Sequence, residues 1–93
     1  MAAAKLAWVT GAGSGIGRAL AMRLAETGWR LAVSARTSAD LDSLAAALPH
    51  SIRPFVLDVT DNTAVAATVA QIAREMGEID LVVLGAGVIL CLI

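Results

Sequence analysis

The chain has 93 residues and a formal net charge of −1, and 58% of its residues are hydrophobic against 16% charged. So apolar a composition excludes a disordered chain, and the lack of a basic cluster argues against nucleic acid as a partner. The length suits one small domain with a modest core.

Cysteine content and apolar runs limit the class of protein further. The single cysteine, Cys91, cannot form an intramolecular disulfide and suggests no metal site, which is typical of the reducing cytoplasm. The longest apolar run, residues 81–93, is shorter than the roughly 20 residues of a transmembrane helix, and Gly85 and Gly87 interrupt it. No signal peptide is recognisable at the N-terminus. We therefore expect a cytoplasmic protein without a membrane partner.

Strand-length apolar runs alternate with segments of helical period, which predicts the order β-α-β-α-β-α-β. The predicted strands span residues 6–10, 30–35, 55–57 and 79–84. The first helix is predicted over residues 15–27, and Thr37 and Asp40 resemble a capping box that starts the second helix.

The third helix is predicted to begin at Thr60 or Asp61 and to end at Gly77. Helical spacing predicts that four of its side chains form a buried stripe: Val65, Val69, Ile72 and Met76.

Strands that alternate with helices imply parallel pairing through right-handed crossovers. The predicted fold class is α/β, a partial Rossmann-type doubly wound sheet of four parallel strands in the order 3-2-1-4, with helices on both faces. Ligands of such sheets bind at the carboxyl ends of the strands, near the switch between strands one and four. We assign residues 1–88 to this domain and residues 89–93 to an apolar C-terminal tail.

A glycine-rich loop, residues 10–17, connects the first strand to the first helix and reads T-G-A-G-S-G-I-G. A helix N-terminus offers unpaired N–H groups to a phosphate, and glycine lets the phosphate approach closely. The simpler alternative is a tight turn that needs positive φ. The glycines at Gly11, Gly15 and Gly17 depart from the usual i, i+2, i+5 dinucleotide fingerprint.

The pattern T-G-x-x-x-G-x-G directly after a first strand resembles the short-chain dehydrogenase/reductase family of NAD(P)-dependent oxidoreductases. Asp58 and Val59 after the third strand, and Gly85, Ala86 and Gly87 after the fourth, stand where that family has its adenine-contacting acid and its N-A-G motif. The resemblance extends to residue 88. In the family the N-A-G motif follows a further asparagine, as N-N-A-G, and both asparagines are missing here, because residues 84 and 85 are leucine and glycine.

The resemblance implies a role for each matching residue of the loop. Gly11 makes the turn, and Gly15 admits the cofactor. Ser14 and the backbone N–H of Ile16 meet the pyrophosphate and the adenosine ribose. Gly17 lets the helix pack closely on the sheet.

The resemblance also implies how the adenosine end of the cofactor is held. Asp58 accepts a hydrogen bond from the adenine amino group, with the Val59 backbone beside it, and Ala86 and Gly87 border the adenine ribose. The alternative for Asp58 is a turn or helix-start aspartate without a ligand.

Cofactor choice depends on the end of the second strand. An NAD-preferring site has a carboxylate there for the ribose 2′-hydroxyl, but this sequence has Ala35 followed by Arg36. A guanidinium can hold a 2′-phosphate through two parallel bonds, and the hydroxyls of Ser34 and Thr37 can add to it. Asp40 is expected to lie too deep in its capping box to replace the missing carboxylate. NADP is therefore favoured over NAD.

The resemblance implies hydride transfer between NADP(H) and a carbonyl or alcohol in the full-length parent. The family's catalytic serine and Tyr-x-x-x-Lys motif have no counterpart here, and the sequence contains no tyrosine. We therefore expect a truncated chain that is inactive alone, with no catalytic residue and no readable substrate contact. An unpaired fourth strand would favour self-association. The alternative is a stand-alone dinucleotide-binding or dimerising module without catalysis.

Overall fold

The computed structural model describes residues 5–12, 15–48, 51–83 and the backbone of residues 89–91. Five strands and three helices occupy these residues: β1 Leu6–Thr10, α1 Gly15–Glu26, β2 Arg30–Ser34, α2 Ser38–Ala47, β3 Ile52–Pro54, α3 Asn62–Met76, β4 Leu81–Val83 and β5 Ile89–Cys91. The strands form one sheet in the order β3-β2-β1-β4-β5.

The first four strands pair in parallel, with β1 between β2 and β4, and with β3 outside β2. The predicted order 3-2-1-4 is therefore confirmed. One feature of the sheet was not predicted: β5 pairs antiparallel with β4, with Val82 opposite Leu90. The prediction of an unpaired fourth strand is wrong, because part of the apolar tail covers that edge. Among the described residues, β5 is the outermost strand on this side, and the boundary at residue 88 stays a prediction.

Helices cover both faces of the sheet, as predicted. On one face, Val9 of β1 and Val33 of β2 share a buried cluster with Leu41 and Leu44 of α2. On the other face, Trp8 and Ile72 belong to a second buried cluster, to which α3 contributes. Among the described residues, no helix is both long enough and apolar enough to cross a membrane.

The third strand begins earlier than predicted, at Ile52 rather than Phe55. Pro54 is tolerated because β3 lies at the edge of the sheet, where a missing N–H donor costs little. The segment beyond it still follows β2. The N–H of Phe55 donates to the Val33 carbonyl at 2.8 Å, and that of Leu57 donates to the Ala35 carbonyl at 2.9 Å. These bonds lead the chain to the carboxyl end of the sheet.

Two helix predictions need correction. Thr37 is the N-cap of α2, but its side chain makes no capping hydrogen bond, so the expected capping box does not form. In α3, Thr68 and Ile72 are the buried residues, whereas Val69 is 39% exposed. The buried stripe thus runs through position 68 instead of 69. Of the two candidate caps, Asp61 is the one used, because its carboxylate accepts from the Ala64 N–H.

Candidate functional site

The loop after β1 is tied to both neighbouring strands. The N–H of Ala12 donates to the Ser34 carbonyl of β2 at 3.1 Å, and the hydroxyl of Thr10 donates to the Val83 carbonyl of β4 at 3.1 Å. The loop therefore begins at the end of β1, which lies between β2 and β4. This is the point where the strand order reverses.

Glycine is required at two positions around this loop for different reasons. Gly15 has a φ of +61°, and among the described residues no atom beyond its chain neighbours would lie within 4 Å of a Cβ there. Its backbone conformation, not the available space, disfavours other residues. At Gly17, a Cβ would overlap the carbonyl oxygen of Gly11. The first turn of α1 consequently packs directly against the loop backbone.

An open cleft of about 490 Å³ lies beside the loop, where three separate stretches of chain meet at the carboxyl end of the sheet. They are the start of the glycine loop, the β2–α2 connection and the segment that follows β3. The cleft is lined by Gly11, Ala35, Arg36, Thr37, Asp40, Leu57, Asp58, Val59 and Thr60.

The structure brings some of the predicted site residues together in this cleft. Those that line it are Gly11, Arg36, Asp58 and Val59. Those in the first turn of α1, outside the lining, are Gly15, Ile16 and Gly17. Those outside the described residues are Ser14, Ala86 and Gly87.

Asp58 lies in a turn that holds its carboxylate in the charged form. Its Oδ1 accepts from the Thr60 hydroxyl at 2.6 Å and from the Thr60 N–H at 2.9 Å. These two bonds, with a smaller contribution from the charge of Arg36, lower the pKa of Asp58 below its ordinary value. Because the pKa is lowered on folding, the associated stabilisation is present above pH 3.8 and is lost as the pH falls through the lowered value. Asp58 is thus a turn residue and a cleft residue at once.

Two polar residues near Arg36 behave differently from the prediction. Ser34 is fully buried, and its hydroxyl oxygen accepts from the indole N–H of Trp8 at 2.9 Å, so it cannot reach a phosphate in the cleft. Asp40 was expected to be occupied in a capping box, yet it is exposed and lines the cleft. Its position in the sequence, in the first turn of a helix and four residues after Arg36, indicates that it lies near Arg36 at the same end of the sheet.

Arg18 joins α1 to the same wall of the cleft. Its guanidinium donates to the Asp40 carbonyl at 3.4 Å and to the Ser43 hydroxyl at 3.2 Å. The first turn of α2 is therefore held against the helix that follows the glycine loop.

Comparison with known proteins agrees with this geometry. The family model for short chain dehydrogenases matches residues 5–92. A 3-oxoacyl-(acyl-carrier-protein) reductase of Thermotoga maritima is 36% identical over 87 residues, which cover 90% of this chain and 35% of that protein. D-erythrulose reductase of Gallus gallus is 49% identical over 63 residues, which cover 68% of this chain and 25% of that protein.

Among solved structures, a short-chain dehydrogenase from Streptomyces avermitilis superposes with a TM-score of 0.84 at 36% identity, over 89% of this chain and 30% of that one. The chain spans at most about a third of the length of the curated relatives it matches. By sequence and by structure, the chain belongs to the short-chain dehydrogenase/reductase family.

Proposed function

We propose that this chain is the NADP(H)-binding portion of a short-chain dehydrogenase/reductase, whose full-length protein transfers a hydride between NADP(H) and a carbonyl or alcohol. The observation that carries the cofactor assignment is the position of Arg36. Arg36 lines the cleft at the carboxyl end of the sheet, two residues after the end of β2, and Ala35 before it stands where an NAD site has a carboxylate.

The glycine loop fits a pyrophosphate. Gly11 and Gly15 both have positive φ, at +68° and +61°, and the space beside Gly15 is open. The first N–H groups of α1, including that of Ile16, have no partner within the helix and favour negative charge. Ser14 is proposed as an additional donor from the family resemblance.

The far side of the cleft fits an adenosine. Oδ1 of Asp58 is occupied by Thr60, which leaves Oδ2 to accept from the adenine amino group. Val59 is 53% exposed and Leu57 is buried beside it, so the wall offers apolar surface to the base. Ala86 and Gly87 are proposed beside the ribose from the family resemblance.

When bound, NADPH would supply a hydride to a carbonyl and NADP⁺ would accept one from an alcohol, and the described cleft residues would hold the adenosine half of either form. We expect no turnover by this chain alone. The sequence contains no tyrosine, whereas the family resemblance implies that a tyrosine transfers the proton to or from the substrate.

The proposal is tested by titrating the purified chain with NADP⁺ and with NAD⁺ in a calorimeter. We expect NADP⁺ to bind more tightly by about one to two decades, since a charge-assisted phosphate contact contributes about 1.5–3 kcal/mol. Tighter binding of NAD⁺ would contradict the cofactor assignment. Absence of heat with both cofactors at millimolar concentration would contradict the binding function itself.

Replacement of Asp58 by asparagine tests the adenine contact. An amide can still accept from Thr60, but its NH₂ group then stands where Oδ2 was and opposes the adenine amino group. We expect Asp58→Asn to weaken NADP⁺ and NAD⁺ by the same factor, about five- to tenfold, which corresponds to a typical net hydrogen bond. Calorimetry measures both constants. Asp42→Asn is the control, because Asp42 is exposed on α2 outside the cleft; an equal effect of the two changes would contradict the contact.

A further inference from the structure

The cleft that contains Arg36 also contains opposing charge. The described residues that line it include two acidic ones, Asp40 and Asp58, and one cationic one, Arg36. The carboxylate of Asp58 accepts a hydrogen bond from the Thr60 hydroxyl, and the charge of Arg36 contributes to lowering the pKa of Asp58. The carboxylate of Asp40, in contrast, forms no hydrogen bond or ion pair with another described residue.

Neighbouring contacts hold the first turn of α2, which contains Asp40, beside the cleft. Arg18 donates to its carbonyl, and Leu41 and Leu44, which follow it in α2, are fully buried. A ligand that enters beside Arg36 therefore meets a carboxylate attached to a fixed turn of helix, four residues along the chain.

We propose that Asp40 is a second specificity-determining residue, which opposes the 2′-phosphate of NADP(H) and so keeps NAD(H) acceptable to the same cleft. This inference rests on the proposed cofactor function. Arg36 attracts the doubly charged phosphate, whereas the Asp40 carboxylate repels it and can accept a hydrogen bond from a free ribose hydroxyl. The preference for NADP(H) is thus smaller than Arg36 alone would produce.

The charge of Asp40 acts differently on the two cofactors because they differ only in the 2′-phosphate. Removing the carboxylate should tighten NADP⁺ binding and leave NAD⁺ binding equal or slightly weaker. At a solvent-exposed site, repulsion between a carboxylate and a dianion is worth about a three- to tenfold change in affinity. Added salt should reduce the difference, since exposed charges are screened.

The test compares Asp40→Asn with Asp42→Asn by calorimetric titration with NADP⁺ and NAD⁺. Both variants lose one negative charge from an exposed position of α2, but Asp42 does not line the cleft. We expect Asp40→Asn to raise the ratio of the NAD⁺ to the NADP⁺ dissociation constant about three- to tenfold, while Asp42→Asn leaves it within about twofold. Circular dichroism confirms that each variant is folded.

The results separate this inference from the function on which it rests. An unchanged ratio in Asp40→Asn, in a chain that binds both cofactors, overturns the role of Asp40 and leaves the proposed function standing. Equal changes in both variants also overturn it, because net charge would then explain the effect. Failure of the unsubstituted chain to bind either cofactor overturns the proposed function, and the inference with it.

Discussion

Replacement of Gly17 by alanine is expected to destabilise the fold and to displace the backbone of the glycine loop at Gly11. The added Cβ would overlap the carbonyl oxygen of Gly11 and lie 2.9 Å from its carbonyl carbon. Neither backbone atom can move without disturbing the end of β1. We expect a loss of about 1–3 kcal/mol in the free energy of unfolding, as for other overpacked sites. A thermal melt should show it as a fall of roughly 4–8 °C per kcal/mol.

The direction of this effect is diagnostic because helix propensity predicts the opposite. Gly17 lies inside α1, where alanine is favoured over glycine by about 1 kcal/mol. If the loop could shift freely, Gly17→Ala would therefore stabilise the chain. A variant that melts at the same or a higher temperature and still binds NADP⁺ would contradict close packing between α1 and the loop.

Gly28→Ala provides the matched control. Gly28 lies just beyond the other end of α1, has a φ of +98°, and offers open space to a Cβ. Its replacement should also destabilise the chain, by about 1 kcal/mol of backbone strain, yet leave the NADP⁺ affinity of the folded protein unchanged. The comparison separates a general loss of stability from a change at the site.

The sheet was predictable because its signals are local and repeated. Buried parallel strands are continuous apolar runs, and each crossover requires a helix between them. That alternation predicts parallel pairing, and the order 3-2-1-4 that the structure shows is one of the two common orders of such a sheet. The antiparallel strand Ile89–Cys91 is not among the predicted elements, because Gly85 and Gly87 are assigned to a cofactor motif, although glycines between two apolar runs also indicate a hairpin turn. Its pairing with β4 is a tertiary contact.

The site was less predictable where the direction of the backbone, or competition between partners, decides which group a side chain contacts. Arg36 and Asp58 follow strand ends, so topology alone brings them to one edge of the sheet. Ser34 lies two residues before Arg36, but the strand alternation turns its hydroxyl inward to the Trp8 indole. Asp40 was assigned to a capping box by its motif, although the box requires bonds that the Thr37 side chain does not make. The capping-box motif indicates which hydrogen bonds Thr37 and Asp40 can form, but not which of them form in the folded chain.

Replacement of Arg36 by alanine is expected to change the preference of the cleft from NADP⁺ to NAD⁺. The variant should lose about ten- to a hundredfold in affinity for NADP⁺, since under the proposed function it loses the charge-assisted contact of Arg36 with the 2′-phosphate. NAD⁺ lacks that phosphate, so its dissociation constant should change less than about threefold. The NADP⁺ affinity of Arg36→Lys should fall between those of the unsubstituted chain and of Arg36→Ala, because an ammonium supplies charge without the planar pair of donors.

Arg23→Ala is the control for this experiment, because Arg23 is an exposed cation of α1 outside the cleft. It removes the same charge and should leave the ratio of the two dissociation constants unchanged. The sign of the preference in Arg36→Ala is the sharper result. With the guanidinium gone, the carboxylate of Asp40, which in its proposed role repels the 2′-phosphate, remains among the described residues of the lining, so NAD⁺ should bind more tightly than NADP⁺. If NADP⁺ were still preferred, the 2′-phosphate would have to be held by groups other than Arg36, and the cofactor assignment would lose its basis.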